Sequence, residues 1–158
     1  MMRFHPFPLT DMPWPLMAAL VAVGLPRTVL ADLDIVAPES GLLYYVLALV
    51  PFAAWLAVAI VRDTRRPVRD FLVLGVLYGL SLILAHQLLW NAPGAAHSIP
   101  QGAVDFASGF EPGAQQFFLR GYTALIGLGI GIGTGLVAAV LAFIAHRVRI
   151  VRRLGRQS

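Results

Sequence analysis

An all-α integral membrane protein, a four-helix transmembrane bundle with both termini cytoplasmic, is the fold class this sequence predicts. Three observations carry the expectation. The chain is 58% hydrophobic and 13% charged, where a soluble domain carries about 25% charged residues. Its apolar residues fall into four runs, each near the ~20 residues a helix needs to cross ~30 Å of hydrocarbon. Its arginines gather at the ends of those runs, and mostly at one end.

The first run spans Trp14 to Val36 and is interrupted by Pro26 and Arg27. Arg3, the apolar stretch Leu16 to Leu25 and the triplet Val29-Leu30-Ala31 resemble a secretory signal with its cleavage site. Pro26 and Arg27 break that pattern, and Leu33, Ile35 and Val36 resume it, so a retained helix is expected. The acidic turn 37–40 leads into the second run, Gly41 to Val61, which carries Pro51 at mid-length. A short basic turn follows, and short turns make consecutive helices antiparallel neighbours. The third run is Val68 to Trp90, and the fourth covers about 118–146. Between them lies the one long connection, 91–117, rich in Gly, Pro and Ala and expected to be an external loop. No alternation of period two supports a barrel. Residues 1–158 therefore read as a single membrane domain.

Orientation follows from arginine, which supplies all 12 basic residues. With the 62–70 turn and both termini inside, Arg3, Arg62, Arg65, Arg66, Arg69, Arg147, Arg149, Arg152, Arg153 and Arg156 are cytoplasmic, leaving Arg27 and Arg120 outside. The positive-inside bias selects that arrangement in an inner (plasma) membrane. Arginine in place of lysine, with abundant Ala, Gly, Val and Leu, points to a GC-rich bacterial source. Tyr44, Tyr45, Trp90 and Tyr122 would form the outer aromatic belt, and Trp14 and Phe71 the inner one. Trp55 and Tyr78 lie deeper and should face other helices.

The chemistry excluded is broad. There is no cysteine, hence no disulfide, thiol nucleophile or Cys-bound metal. Without lysine there is no Walker-type phosphate loop, and no Gly-x-Ser-x-Gly elbow or His-Glu-x-x-His is present. No cofactor or metal site is expected. The charge of +4 belongs to topology, so nucleic acid is not an expected partner. The expected partners are the bilayer, a second copy or a larger membrane complex, and anionic lipid at the Arg-rich C-terminal tail.

Two features remain. Gly127, Gly131 and Gly135, with the overlapping Gly129 and Gly133, form small-xxx-small patterns on the fourth run, and Gly75 and Gly79 form one on the third. Such patterns permit close backbone approach in lipid. They allow an oligomer or a pore around the fourth helix as well as packing inside one monomer. Secondly, Arg27, His86 and Gln87 lie at similar depth within the spans, near the outer boundary. Polar residues there are expensive and mark candidate sites. Asp32 and Asp34 lie just above Arg27 as counter-charges, and His97, Asp105 and Glu111 lie in the loop above. The cluster reads as an outer-leaflet pocket with Arg27 on an anionic group and His86 donating or carrying a proton. In the simpler reading Arg27 snorkels or pairs with Asp32 or Asp34, and His86 bonds a neighbouring helix. The sequence-based expectation is a non-enzymatic accessory or scaffold subunit, or a homo-oligomer. A channel or small-solute transporter built around the fourth helix, and a lipid-modifying enzyme using Arg27 and His86, are the alternatives.

The topology is testable with reporter fusions. Fusions after residues 66 and 158 should read cytoplasmic and one at Gly102 external. A cytoplasmic reading at Gly102 would refute the arrangement.

Overall fold

The computed structural model describes residues 9–37, 41–62, 66–95 and 99–154, and these form an all-helical protein. The helices are α1 (Trp14–Asp32), α2 (Gly41–Val61), α3 (Pro67–Leu88), α4 (Gln101–Ala107) and α5 (Pro112–Leu154). Four of them, α1, α2, α3 and α5, are long and apolar enough to cross a membrane.

The boundaries differ from expectation in physically interpretable ways. α1 stops at Asp32, not Val36, because Asp34 takes a positive φ of 59° and turns the chain. The amides of Ile35 and Val36 fold back onto the Leu30 carbonyl. Pro67, which lacks an amide proton, opens α3, where that proton would have no helical partner. The 91–117 connection is not all loop. It holds α4, and α5 begins at Pro112 within it. α5 continues through the arginines to Leu154. Its 43 residues make it roughly 64 Å long at ~1.5 Å per residue, about twice a hydrocarbon core.

The dominant packing is α3 along α5, and α1 and α2 complete the bundle. On α3, Gly75 and Gly79 meet Gly127, Gly131 and Gly135 of α5. A Cβ on Gly75 would lie 2.6 Å from the Gly131 carbonyl oxygen, and one on Gly135 would lie 2.7 Å from that of Phe71. A Cβ on Gly131 would collide with the Gly75 and Gly79 backbones. In lipid no hydrophobic force pulls helices together, so this backbone contact supplies van der Waals attraction that larger residues would prevent. Phe71, Leu74, Leu82, Ala138, Ala139 and Ala142 extend the buried seam. Phe71 is wholly buried and belongs to this core, not to an aromatic belt. Gly129 and Gly133 point the other way, and nothing lies within 4 Å of a Cβ built on either.

The short turn after α2 predicts α2 beside α3, but α2 packs against α1 and α5. It reaches α3 through Trp55, whose ring lies 5.4 Å from that of Tyr78. Both rings also fix α1. Trp55 Nε1 donates to the Leu20 carbonyl at 3.1 Å, and the Tyr78 hydroxyl donates to the Gly24 carbonyl at 3.3 Å. Gly24 has no side chain to obstruct the Tyr78 ring, which would clash with a Cβ there.

At the arginine-rich end a strap of residues 10–13 ties the bundle together. The Asp11 amide donates to the fully buried Asp70 carboxylate at 3.0 Å. Arg62 donates to the Asp11 carbonyl at 2.8 Å, and Arg149 donates to the Arg62 carbonyl at 3.1 Å. Met12, also fully buried, fills the space beneath.

Gly131→Leu should lower stability in detergent by about 1–3 kcal/mol or more, as overpacking of a tight core does. Leu136→Phe, at a position 48% exposed, should change it little. Equal melting curves for the two variants would refute the glycine contact.

Candidate functional site

At the end opposite the strap, α1, α2, α3 and α5 enclose a cavity of about 700 Å³. α1 contributes Arg27, Thr28, Ala31 and Asp32, and α3 contributes Leu82 and His86. Tyr44 is the sole contribution of α2, while α5 lends Tyr122, Thr123, Ile126, Gly127 and Ile130. Ile99 and Pro100 close one side. The helical repeat explains these choices. Arg27, Ala31 and Thr28, Asp32 are i, i+4 pairs, as are Leu82 and His86, so each helix turns one stripe inward.

The central polar contact joins α1 to α3. Nδ1 of His86 lies 2.9 Å from Oδ2 of Asp32. Asp32 is 1% exposed and His86 9%. With Asp32 ionised, Nδ1 carries the proton and donates it. Nε2 is then the free nitrogen, and it is buried without a hydrogen-bond partner among the described residues. Leaving such an atom unsatisfied costs about 1–3 kcal/mol. The His86 ring packs edge-on against Trp90, with centroids 5.5 Å apart.

Arg27 shares the cavity but not the pair. Its one hydrogen bond among the described residues is to the Tyr44 hydroxyl, at 3.4 Å, and its guanidinium carbon lies 5.6 Å from the Tyr44 ring centre. No ion pair joins it to Asp32, Asp34 or any other described carboxylate. A guanidinium has five N–H donors and keeps its charge at any accessible pH, so the described residues use little of its bonding capacity. Arg27 also borders a second, deeper cavity of about 200 Å³, with Pro51, Trp55, Tyr78 and Thr134. Pro51 has no amide proton for the Leu47 carbonyl one turn earlier, and both residues line that space.

The sequence-predicted cluster is thus brought together in part. Arg27, Asp32 and His86 converge on one cavity. The expected Arg27–Asp32 pairing is replaced by Asp32–His86, because Asp32 faces α3. Asp34 lies beyond the helix end, exposed and outside the cavity. Gln87 turns to α5, where its side chain and Arg120 exchange hydrogen bonds of 3.1 and 3.2 Å. Arg120 also lies 4.8 Å from the Trp90 ring centre. Asp105 is held by Gln101 at 2.8 Å, away from the cavity. His97 lies outside the described residues, as do Arg3, His5, Glu39, Asp63, Arg65 and Arg156. Among the described residues no third His, Cys, Asp or Glu joins Asp32 and His86, whereas a zinc site takes three or four protein ligands.

Tyr44, Tyr122, Thr28 and Thr123 complete the polar lining; the sequence singled out the two tyrosines only as belt residues and the threonines not at all. Their signal was there: hydroxyl side chains at the same depth as Arg27. No known protein family, curated protein or solved structure matches this chain, so the site is interpreted from its own geometry.

A double-mutant cycle tests that geometry. Asp32→Ala and His86→Ala should couple by about 0.5–3 kcal/mol in unfolding free energy, whereas Arg27→Ala and His86→Ala should add. Strict additivity of the Asp32 and His86 variants would mean that the pair is not formed.

Proposed function

We propose that this chain is a plasma-membrane protein, with both termini cytoplasmic, whose outer-leaflet cavity binds an anionic amphiphile. One observation carries the reading: Arg27 sits in a 700 Å³ cavity with a single hydrogen bond and no carboxylate partner among the described residues. A cation at membrane depth is stable only with a counter-charge, with water or with headgroups. Its nearest candidate in sequence, Asp32, is already engaged by His86. A bound anion would give the guanidinium the direct partner that Asp32 does not, and guanidinium matches the paired oxygens of a phosphate or carboxylate. The wall argues for an apolar portion as well. Leu82, Ile99, Pro100, Ile126 and Ile130 line the same space, as in pockets that bury mixed ligands.

In this reading the protein is a binding or carrier subunit of the membrane, not a catalyst. The contact among Gly75, Gly79, Gly127, Gly131 and Gly135 lies within one monomer. A homo-oligomer, the second reading, has the uncovered Gly129 and Gly133 in its favour. Mass measurement in native detergent separates one copy from several.

The test is thermal unfolding in a non-ionic detergent with three probes. Dihexanoyl phosphatidylglycerol should raise the midpoint, because binding to the folded state stabilises it by mass action. Dihexanoyl phosphatidylcholine and dimethyl phosphate should raise it much less. The first lacks net charge and the second lacks an apolar portion. Arg27→Gln should abolish the phosphatidylglycerol shift. A shift with dimethyl phosphate alone would replace the amphiphile by a free anion, and no shift with any probe would end the reading.

A further inference from the structure

The reading of the cavity as an anion site leaves Nε2 of His86 unexplained. It is buried and partnerless among the described residues, on a side chain that lines the cavity and whose other nitrogen is fixed by Asp32 at 2.9 Å. We propose that the cavity takes up its anionic ligand together with one proton, which binds His86 Nε2.

The argument is one of charge. With the site empty, Asp32 ionised and His86 neutral, Arg27 contributes one positive charge, Asp32 one negative charge, and His86 none. Those charges cancel. An arriving monoanion would leave the cavity with a net negative charge in surroundings of low dielectric, where an uncompensated charge is disfavoured. The imbalance can be removed locally by protonating a group already within the wall. Histidine is the side chain whose ordinary charge change falls between about pH 5 and 8.

The other groups around His86 do not offer that route. From α1, Arg27 is permanently charged and Asp32 already accepts the Nδ1 proton. From α2 and α5 come the Tyr44 and Tyr122 hydroxyls, and a phenol ordinarily gives up its proton only well above this range and gains none within it. Just beyond α3, Trp90 packs edge-on against the imidazole, and Arg120 lies over the Trp90 ring and is permanently charged. Asp32 assists the change, since its carboxylate accepts from an imidazolium as it does from the neutral ring.

Protonation also changes what Nε2 offers. Unprotonated, it is an acceptor with no donor. Protonated, it is a donor, and an oxygen of the anion is an acceptor. The proton is drawn from bulk water when the ligand enters and returns there when the ligand leaves. No covalent bond in the ligand changes. The same event satisfies Arg27, Nε2 and the charge balance, and it gives the site a dependence on pH. Lower pH favours the loaded state, and loading favours protonation, because linkage is reciprocal.

This inference rests on the anion-site reading, and calorimetry distinguishes the failure of one from the failure of the other. Dihexanoyl phosphatidylglycerol, whose phosphodiester does not titrate in this range, is titrated into the full chain in a non-ionic detergent. Two buffers of unlike ionisation enthalpy are used at each pH. At pH about 8, where histidine is ordinarily neutral, the heats should differ by the uptake of about one proton per ligand. Uptake should shrink toward pH about 5, where histidine ordinarily carries its own proton. The dissociation constant should rise by up to ~10-fold per pH unit over the range of uptake. His86→Gln should abolish proton uptake and flatten the pH profile of whatever binding remains.

Binding by the unaltered chain with equal heats in both buffers and a flat pH profile would overturn the proton coupling and leave the anion site standing. Undiminished uptake in folded His86→Gln would place the proton elsewhere and equally overturn it. If phosphatidylglycerol fails to bind at any pH, both fall. The two-buffer measurement on the unaltered chain decides the matter even where the variant fails to fold.

Discussion

The backbone contact between α3 and α5 is the constraint on which the rest of the structure depends. Five glycines let two helices approach until the backbone of each touches the other. That closeness fixes the rotation of both, because only the glycine-bearing faces can meet. Once Gly75 and Gly79 face α5, Leu82 and His86, one and two turns further on, must lie on nearly the same side. On α5 the same face continues from Gly127 to Thr123. There the glycines of the seam give way to Thr123, Tyr122 and Ile126, and the cavity lies among these larger residues. The tight seam and the open site are two ends of one interface.

α1 is held by polar contacts more than by close backbone packing. Trp55 and Tyr78 donate to its carbonyls, and Asp32 meets His86. In hydrocarbon, polar atoms without partners are costly, so each of these bonds fixes the depth and rotation of α1. Together they deliver Arg27 to the cavity wall. The strap of residues 10–13 does the same at the opposite end through Asp70, Arg62 and Arg149. The helix that bears the charged site is therefore secured above and below it.

The separation of Arg27 from Asp32 gives the site its character. Five residues apart in sequence, on one helix, they look like natural partners. A helix advances ~100° per residue, so positions five apart diverge by about 140°, and Asp32 meets α3 while Arg27 lies beside Tyr44 of α2. The result is a cavity with one carboxylate engaged by an imidazole, one cation bonded only to a hydroxyl among the described residues, and one imidazole nitrogen without a partner among them.

The sequence by itself determined the four apolar helices, the glycine patterns that make close contact possible, and the place of Arg27 and His86 within the helices that bear them. Those properties reside in composition and spacing along single helices. Deep placement of Trp55 and Tyr78 was legible for the same reason. Only the tertiary structure decided which partners meet. Both Gly127–Gly131–Gly135 and Gly129–Gly133 permit approach, and the fold used the first. Gln87 adjoins His86 in sequence but faces Arg120, and Phe71 near a helix end is core. α2 lies against α1 and α5 despite its short turn to α3. Such choices depend on the relative rotation of helices, which no periodicity within one helix encodes. They are settled by which faces can approach closely and which buried polar atoms thereby find partners.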